Sequence, residues 1–280
     1  MKTILLPTDF SNNSWNAIRY AIEFFKDTEC TFYLLHVNRV SDLVAIDRPY
    51  IIDQNVIEET FTKPAIVRLK KLISKINTLP INKKHKFFTI TDHNLFIESI
   101  RQNITELNAD FIVMGTKGAE GFKKIIVGSN TADVITKVKC TTLAVPENAN
   151  YKKPREIAFP TDFSMSHPDE TLGVLKDVLK NHNAAIRFLH ISKRKEANLN
   201  EEQERNKNAL ENYFKEFEHS FHFLKSDRIE DAVQCFADSR DVDLIVMVAK
   251  NQNYFQRIIF RPKVETISYH TDIPFLVIHE

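Results

Sequence analysis

The sequence predicts an α/β protein built as two tandem open parallel sheets with helices on both faces. Three observations predict it: the chain repeats itself, each repeat alternates short β-rich runs with longer helical patterns, and the strand-like runs are apolar on both sides. Residues 7–11 and 160–164 both read PTDFS. FYLLHV at 32–37 is answered by IRFLHI at 186–191, and ADFIVM at 109–114 by VDLIVM at 242–247. FKKIIV at 122–127 is answered by FQRIIF at 255–260, and TLAV at 142–145 by FLVI at 275–278. The five matches keep one order, with an offset of 153 or 154 at first and 133 afterwards. The first copy therefore carries about 20 more residues between its second strand and second helix. A polar stretch near 148–154 reads as the join, which gives domains over 1–148 and 154–280.

Within the first copy the elements follow in order. Residues 3–6 read as a strand, and Ser11 is a suitable N-cap for a helix through residue 25. A strand is predicted over 31–37 and a helix over 56–76, where Ile66, Leu69, Leu72, Ile73 and Ile76 recur at helical spacing. A strand over 85–90, a helix over 95–107 and a strand over 111–114 come next. A helix over 130–138 and a strand over 142–145 complete the copy. Runs such as FIVM and LIVM have no polar face, as expected of strands covered by helices on both sides. The 21 phenylalanines fall mostly in strands and on helix faces, and read as core.

Composition narrows the function. The 280 residues carry 38 basic and 37 acidic side chains, net +1, with 43% hydrophobic residues. This excludes a disordered chain and any overall positive field for nucleic acid. There is no secretory h-region after Met1 and no run of about 18 apolar residues. Cys30, Cys140 and Cys235 are isolated, without metal-ligand spacing, and His219 and His222 gather no further ligands. The expectation is a cytoplasmic protein with reduced thiols, partnered by neither nucleic acid nor membrane.

Glycine carries the functional signal. There are 5 in the chain, and Gly115, Gly118, Gly121 and Gly128 fall within fourteen residues. Ligands of open parallel sheets sit beyond the carboxyl ends of the strands. In the first copy those ends are Pro7, Thr8 and Asp9, then His36 and Val37, then Met114 and Gly115 with the glycine loop. That loop runs through Gly128, Ser129, Asn130 and Thr131 into a helix. Close-approaching backbone amides, a helix N-terminus and hydroxyl donors together suit a phosphate group. Neither a Walker A loop nor GxGxxG is present.

The spacing Gly115-x2-Gly118-x9-Gly128-Ser129 resembles the ATP-binding signature of the universal stress protein family, G-x2-G-x9-G-[ST]. The resemblance covers essentially the whole chain as two tandem family domains. It implies an adenine nucleotide alpha hydrolase-like fold with strand order 3-2-1-4-5, and ATP or another adenine nucleotide bound over strands one and four. Pro7, Thr8 and Asp9 would border the adenosine, Val37 would meet the adenine through its backbone, and Met114 and Gly115 would line the ribose side. Gly118, Gly128, Ser129, Asn130 and Thr131 would hold the phosphates, with a Mg2+ ion carried on them. The family also implies edge pairing of the last strands, here within one chain, and leaves room for a homodimer.

Plainer roles stand beside these. Asp9 suits a capping residue, and His36, which recurs as His190, suits a packed or capping histidine. Lys117, Lys123 and Lys124 suit either phosphate contact or a solvated face, and Gly121 a turn. The extra segment near 40–62 suits a lid, a dimer contact or an inert excursion. In the second copy Val248, Asn251 and Arg261 stand where the signature glycines would be, and Pro262, Lys263 and Val264 replace Ser129, Asn130 and Thr131. Pro262 deletes an amide donor at the helix start. One nucleotide site per chain, in the first copy, is therefore expected. No nucleophile–base–acid set and no paired carboxylates occur, so any ATP hydrolysis is expected to be slow. The competing expectations are an interaction protein with a relic site, and a slow ATP hydrolase.

Overall fold

A computed structural model describes residues 1–38, 57–116, 128–192, 199–249 and 272–279. In the first repeat β1 (Lys2–Pro7) leads to α1 (Asn12–Phe24), β2 (Cys30–Asn38), a π-helical turn (Glu58–Thr62) and α2 (Lys63–Ile76). Then come β3 (His85–His93), α3 (Phe96–Leu107), β4 (Phe111–Gly115), α4 (Ser129–Lys137) and β5 (Thr141–Val145). The second repeat has β6 (Glu156–Pro160), α5 (Asp169–His182), β7 (Ala185–Ser192) and α6 (Glu201–Tyr213). It continues with β8 (His219–Lys225), α7 (Ile229–Ser239), β9 (Leu244–Val248) and β10 (Phe275–Ile278). The chain divides into two compact units, with the described residues up to Thr142 in the first and those from Leu143 in the second.

The strands of the first repeat run β3-β2-β1-β4-β5, and those of the second β8-β7-β6-β9-β10. Pairing of β1 with β2 and β4, and of β2 with β3, is parallel, as is pairing of β6 with β7 and β9. Leu5 lies opposite Tyr33 on one side and Ile112 on the other, so β1, β2 and β4 release their chains at the same edge. One face of the first sheet buries Leu5, Leu35, Ile112 and Met114 against Ile100 of α3 and Val134 of α4. On the other face Phe32 stacks on Phe87 with centroids 5.0 Å apart.

The local signals explain most boundaries. Ser11 caps α1, accepting from the amide of Ser14 at 3.1 Å. The expected helix over 56–76 is helical among the described residues from Ile57 on, with a wider π turn that passes directly into regular α-helix at Lys63. Pro64, in the first turn of α2, has no N–H for an intrahelical bond and its ring crowds the carbonyl four residues earlier, so regular α-helix starts there. β3 extends to His93, past the expected residue 90. Cys30 and Cys140 are buried, and burial pushes both thiols up to about 12. They are unreactive small apolar groups at neutral pH.

Candidate functional site

The carboxyl edge of the first sheet is organised by the β1–α1 loop. The Thr8 amide donates to the Leu35 carbonyl at 2.8 Å, carrying the ladder one residue past β1. Phe10 takes a left-handed conformation, φ 64°, which costs a bulky residue about 1–2 kcal/mol. Neighbouring bonds hold it there. The Phe10 amide donates to Thr8 Oγ1 at 3.1 Å, and the Ser11 amide donates to Asp9 Oδ1 at 3.0 Å. His36 Nδ1 lies 2.8 Å from the Thr8 carbonyl, which can only accept, so the ring carries its proton on Nδ1. Burial holds the His36 imidazole below its ordinary value, and the charge of Arg68 acts in the same direction against the Thr8 carbonyl. His36 is thus neutral at pH 7 and serves as a strut. Its ring lies 4.5 Å from Phe10, whose other neighbour is the Arg68 guanidinium at 4.1 Å.

The second unit repeats this loop. Phe163 is left-handed at φ 54°, and its amide donates to Thr161 Oγ1 at 3.0 Å. The Ser164 amide donates to Asp162 Oδ1 at 3.0 Å, and His190 Nδ1 meets the Thr161 carbonyl at 3.2 Å. Asp9 and His36 therefore have a turn-building role that needs no glycine signature beside it. The loops differ in their cover: Gln203 and Asn206 of α6 donate to the Asp162 and Phe163 carbonyls, each at 2.8 Å.

The other half of the edge is the entry to α4. β4 ends at Gly115, followed by buried Thr116, and the Gly128 amide donates to the Thr116 carbonyl. The first intrahelical bond runs from the Ala132 amide to the Gly128 carbonyl at 2.9 Å, so the amides of Ser129, Asn130 and Thr131 precede any helical acceptor. Gly128, at the N-cap, supplies no side-chain bond, and the first turn holds no acid. Each other described helix that follows a loop is served differently. Side chains cap α1 and α6, and acids stand in the first turns of α3, α5, α6 and α7. At α4 the positive helix end is left for something outside the helix, which is the electrostatic requirement for an anion.

The remaining candidates sort by placement. Pro7 closes β1 beside Leu35, and half-buried Val37 lies near the end of β2 opposite Asp92. The Met114 side chain lies in the core against Val134 and Ile100, so only its main chain belongs to the edge. Thr131 is buried and donates its hydroxyl to the Gly115 carbonyl at 2.7 Å, while Ser129 is exposed. Gly118, Gly121, Lys117, Lys123 and Lys124 lie outside the described residues, as do residues 39–56 and, in the second unit, Asn251, Arg261, Pro262, Lys263 and Val264. Val248 ends β9 with 8% exposure. Sequence reasoning missed Asn13: a Cβ added at Gly115 would lie 2.5 Å from its Nδ2. Gly115 thus lies against the Asn13 carboxamide, which would have to move for any larger residue, and nothing in the local sequence pairs it with α1. Among the described residues no three His, Cys, Asp or Glu side chains gather as a metal site.

The strand order and the parallel sheet with its helices define the class: an α/β fold of the adenine nucleotide alpha hydrolase-like kind. Residues 1–146 match the universal stress protein family, and the chain belongs to that family. A universal stress protein of Methanocaldococcus jannaschii is 30% identical over 160 residues, which span 55% of this chain and 84% of that protein. A universal stress protein A homologue of Coxiella burnetii is 30% identical over 145 residues, spanning 51% of this chain and 95% of that protein. In fold, the crystal structure of a universal stress protein from Archaeoglobus fulgidus covers 99% of this chain and 98% of its own. Its TM-score is 0.71 at 20% identity.

Proposed function

We propose that the first domain, residues 1–148, binds an adenine nucleotide, ATP, at the carboxyl edge of its sheet. On this reading the chain is a cytoplasmic stress-response regulator, and the second domain, 154–280, supports the first without a nucleotide site of its own. The observation that carries the reading is the start of α4, whose three leading amides have no acceptor within the helix and, among the described residues, neither a side-chain cap nor a first-turn acid. A polyphosphate fits that donor set. The amides of Ser129, Asn130 and Thr131 and the Ser129 hydroxyl would hold it, with Gly118 and Gly128 allowing close approach. Pro7, Thr8 and Asp9 would border the adenosine, Val37 would meet the base through its backbone, and the Met114 and Gly115 main chain would line the ribose side. The carried nucleotide would bring Mg2+ on its phosphates. Among the described residues no positioned base faces this edge, so hydrolysis is expected to be slow. The reading extends to edge pairing through the last strands and to a homodimer, which molecular-mass measurement in solution tests.

A relic site is the second reading, favoured by the structural employment of Gly115 against Asn13 and of the Thr131 proton on Gly115. Heat-denaturing the purified protein and assaying the supernatant for adenine nucleotide separates the two. Released nucleotide, lost on replacing Gly118 and Gly128 together, supports the binding reading. Absence of nucleotide with no measurable ATP affinity supports the relic.

A further inference from the structure

A long basic run in the first unit starts beside the candidate edge, where Arg68 covers Phe10, and ends at the opposite edge of the sheet. From residue 63 to 91 there are seven lysines and Arg68 and no carboxylate, while the rest of the chain, with 30 basic and 37 acidic residues, is net acidic. The fold does not impose this. The matching α6–β8 stretch of the second repeat, residues 201–225, carries six glutamates. Part of the charge is used locally. Lys63 pairs with Glu59, Lys75 lies 4.0 Å from the Trp15 ring, Arg68 covers Phe10, and Lys84 Nζ donates to the Asp27 carbonyl at 3.0 Å. Lys70, Lys71, Lys83 and Lys86 remain exposed, with no ion pair among the described residues.

Exposed apolar side chains fall within the same stretch of chain. Ile81, in the loop between α2 and β3, is 89% exposed, and Val67 of α2 is 51% exposed. The loop is fixed rather than slack: Asn82 Nδ2 donates to the Lys26 carbonyl at 2.8 Å, beside the Lys84–Asp27 bond. Residues 26–27 lie just before β2, so this corner is at the amino edge of the sheet, opposite the candidate site. A held, protruding isoleucine with exposed lysines before and after it in the chain matches a surface with anions outside and hydrocarbon beneath. A nucleic-acid face would call for arginine and free planar groups. Here the lone arginine is stacked on Phe10, and Phe88 is already stacked on Tyr33 at 5.4 Å.

We propose that the α2–β3 corner of the first unit docks on an anionic lipid surface, with its lysines at the headgroups and Ile81 inserted between them. This is adsorption, distinct from spanning: no described helix is long and apolar enough to cross a membrane. The test is flotation of the full chain with vesicles of phosphatidylcholine alone or containing about 30% phosphatidylserine. Binding is expected only to the anionic vesicles at about 50 mM salt, with release near 300 mM. Lys70→Gln with Lys71→Gln should weaken it about 25-fold, about fivefold for each lysine, with an unchanged thermal melt. Ile81→Asp should also weaken it. The proposal is overturned by no flotation with anionic vesicles at low salt, or by equal flotation with neutral ones. Unchanged binding in both variants also overturns it, as does displacement from vesicles by a short RNA at equal phosphate, which would assign the face to nucleic acid.

Discussion

Thr131 donates its hydroxyl proton to the carbonyl of Gly115, 2.7 Å away and sixteen residues back along the chain. The bond ties the first turn of α4 to the end of β4, so the helix start is aimed by the sheet rather than by its own cap. Thr131→Val keeps the shape and removes the proton, which should cost about 1–3 kcal/mol by leaving a buried carbonyl unpaired. Thr131→Ser should retain most of that stability. Thermal unfolding of the three proteins reads the difference, and nucleotide affinity should fall in the same order.

Gly115 is limited by Asn13. A methyl group there would meet the Asn13 carboxamide at 2.5–2.8 Å, far inside van der Waals contact. Gly115→Ala should destabilise by about 1–3 kcal/mol through overpacking. Adding Asn13→Ala should return part of that loss, giving a clear coupling energy in a double-mutant cycle by urea unfolding. Independent, additive effects would contradict the packing account.

Asp9 and Asp162 build the same turn, so their removal should cost the two units alike. Asp9→Ala and Asp162→Ala should each lower stability by about 1 kcal/mol, the usual worth of a capping interaction. Their effects on function should differ: ATP affinity should fall in Asp9→Ala and stay unchanged in Asp162→Ala. Calorimetric titration of both variants checks this.

Burial keeps the folded-state pKa of His36 below its unfolded value. The unfolded chain then binds more protons than the folded one as acid is added, so stability should decline as pH falls below about 6.5. The decline should continue until the lowered folded value is passed. His36→Asn should flatten that slope while lowering stability at pH 7, where the bond to the Thr8 carbonyl is weakened. Urea midpoints between about pH 7.5 and 5 measure both effects.

Much of this was legible in the sequence because the signals are local or repeated. Ser11 precedes an apolar-periodic run, so its capping role follows from position alone. The recurrence of PTDFS marks the same segment in both repeats, and Asp162 persists there although the glycine signature is lost, as a turn-building carboxylate would. What was not legible depends on register between distant segments. That Gly115 faces Asn13, and that Thr131 spends its proton on Gly115, follow only once β1, β4 and α1 are placed side by side. The π turn before Lys63 lay within reach, since Pro64 cannot donate a regular bond inside the helix that the apolar spacing predicts.

The central claim is one nucleotide site per chain, set by an uncapped helix in the first unit and absent from the second. Isothermal titration of nucleotide-free protein with Mg-ATP tests it most directly. The account predicts one equivalent of ATP per chain, reduced to none when Gly118 and Gly128 are replaced. Two equivalents, or undiminished binding in that variant, would contradict it.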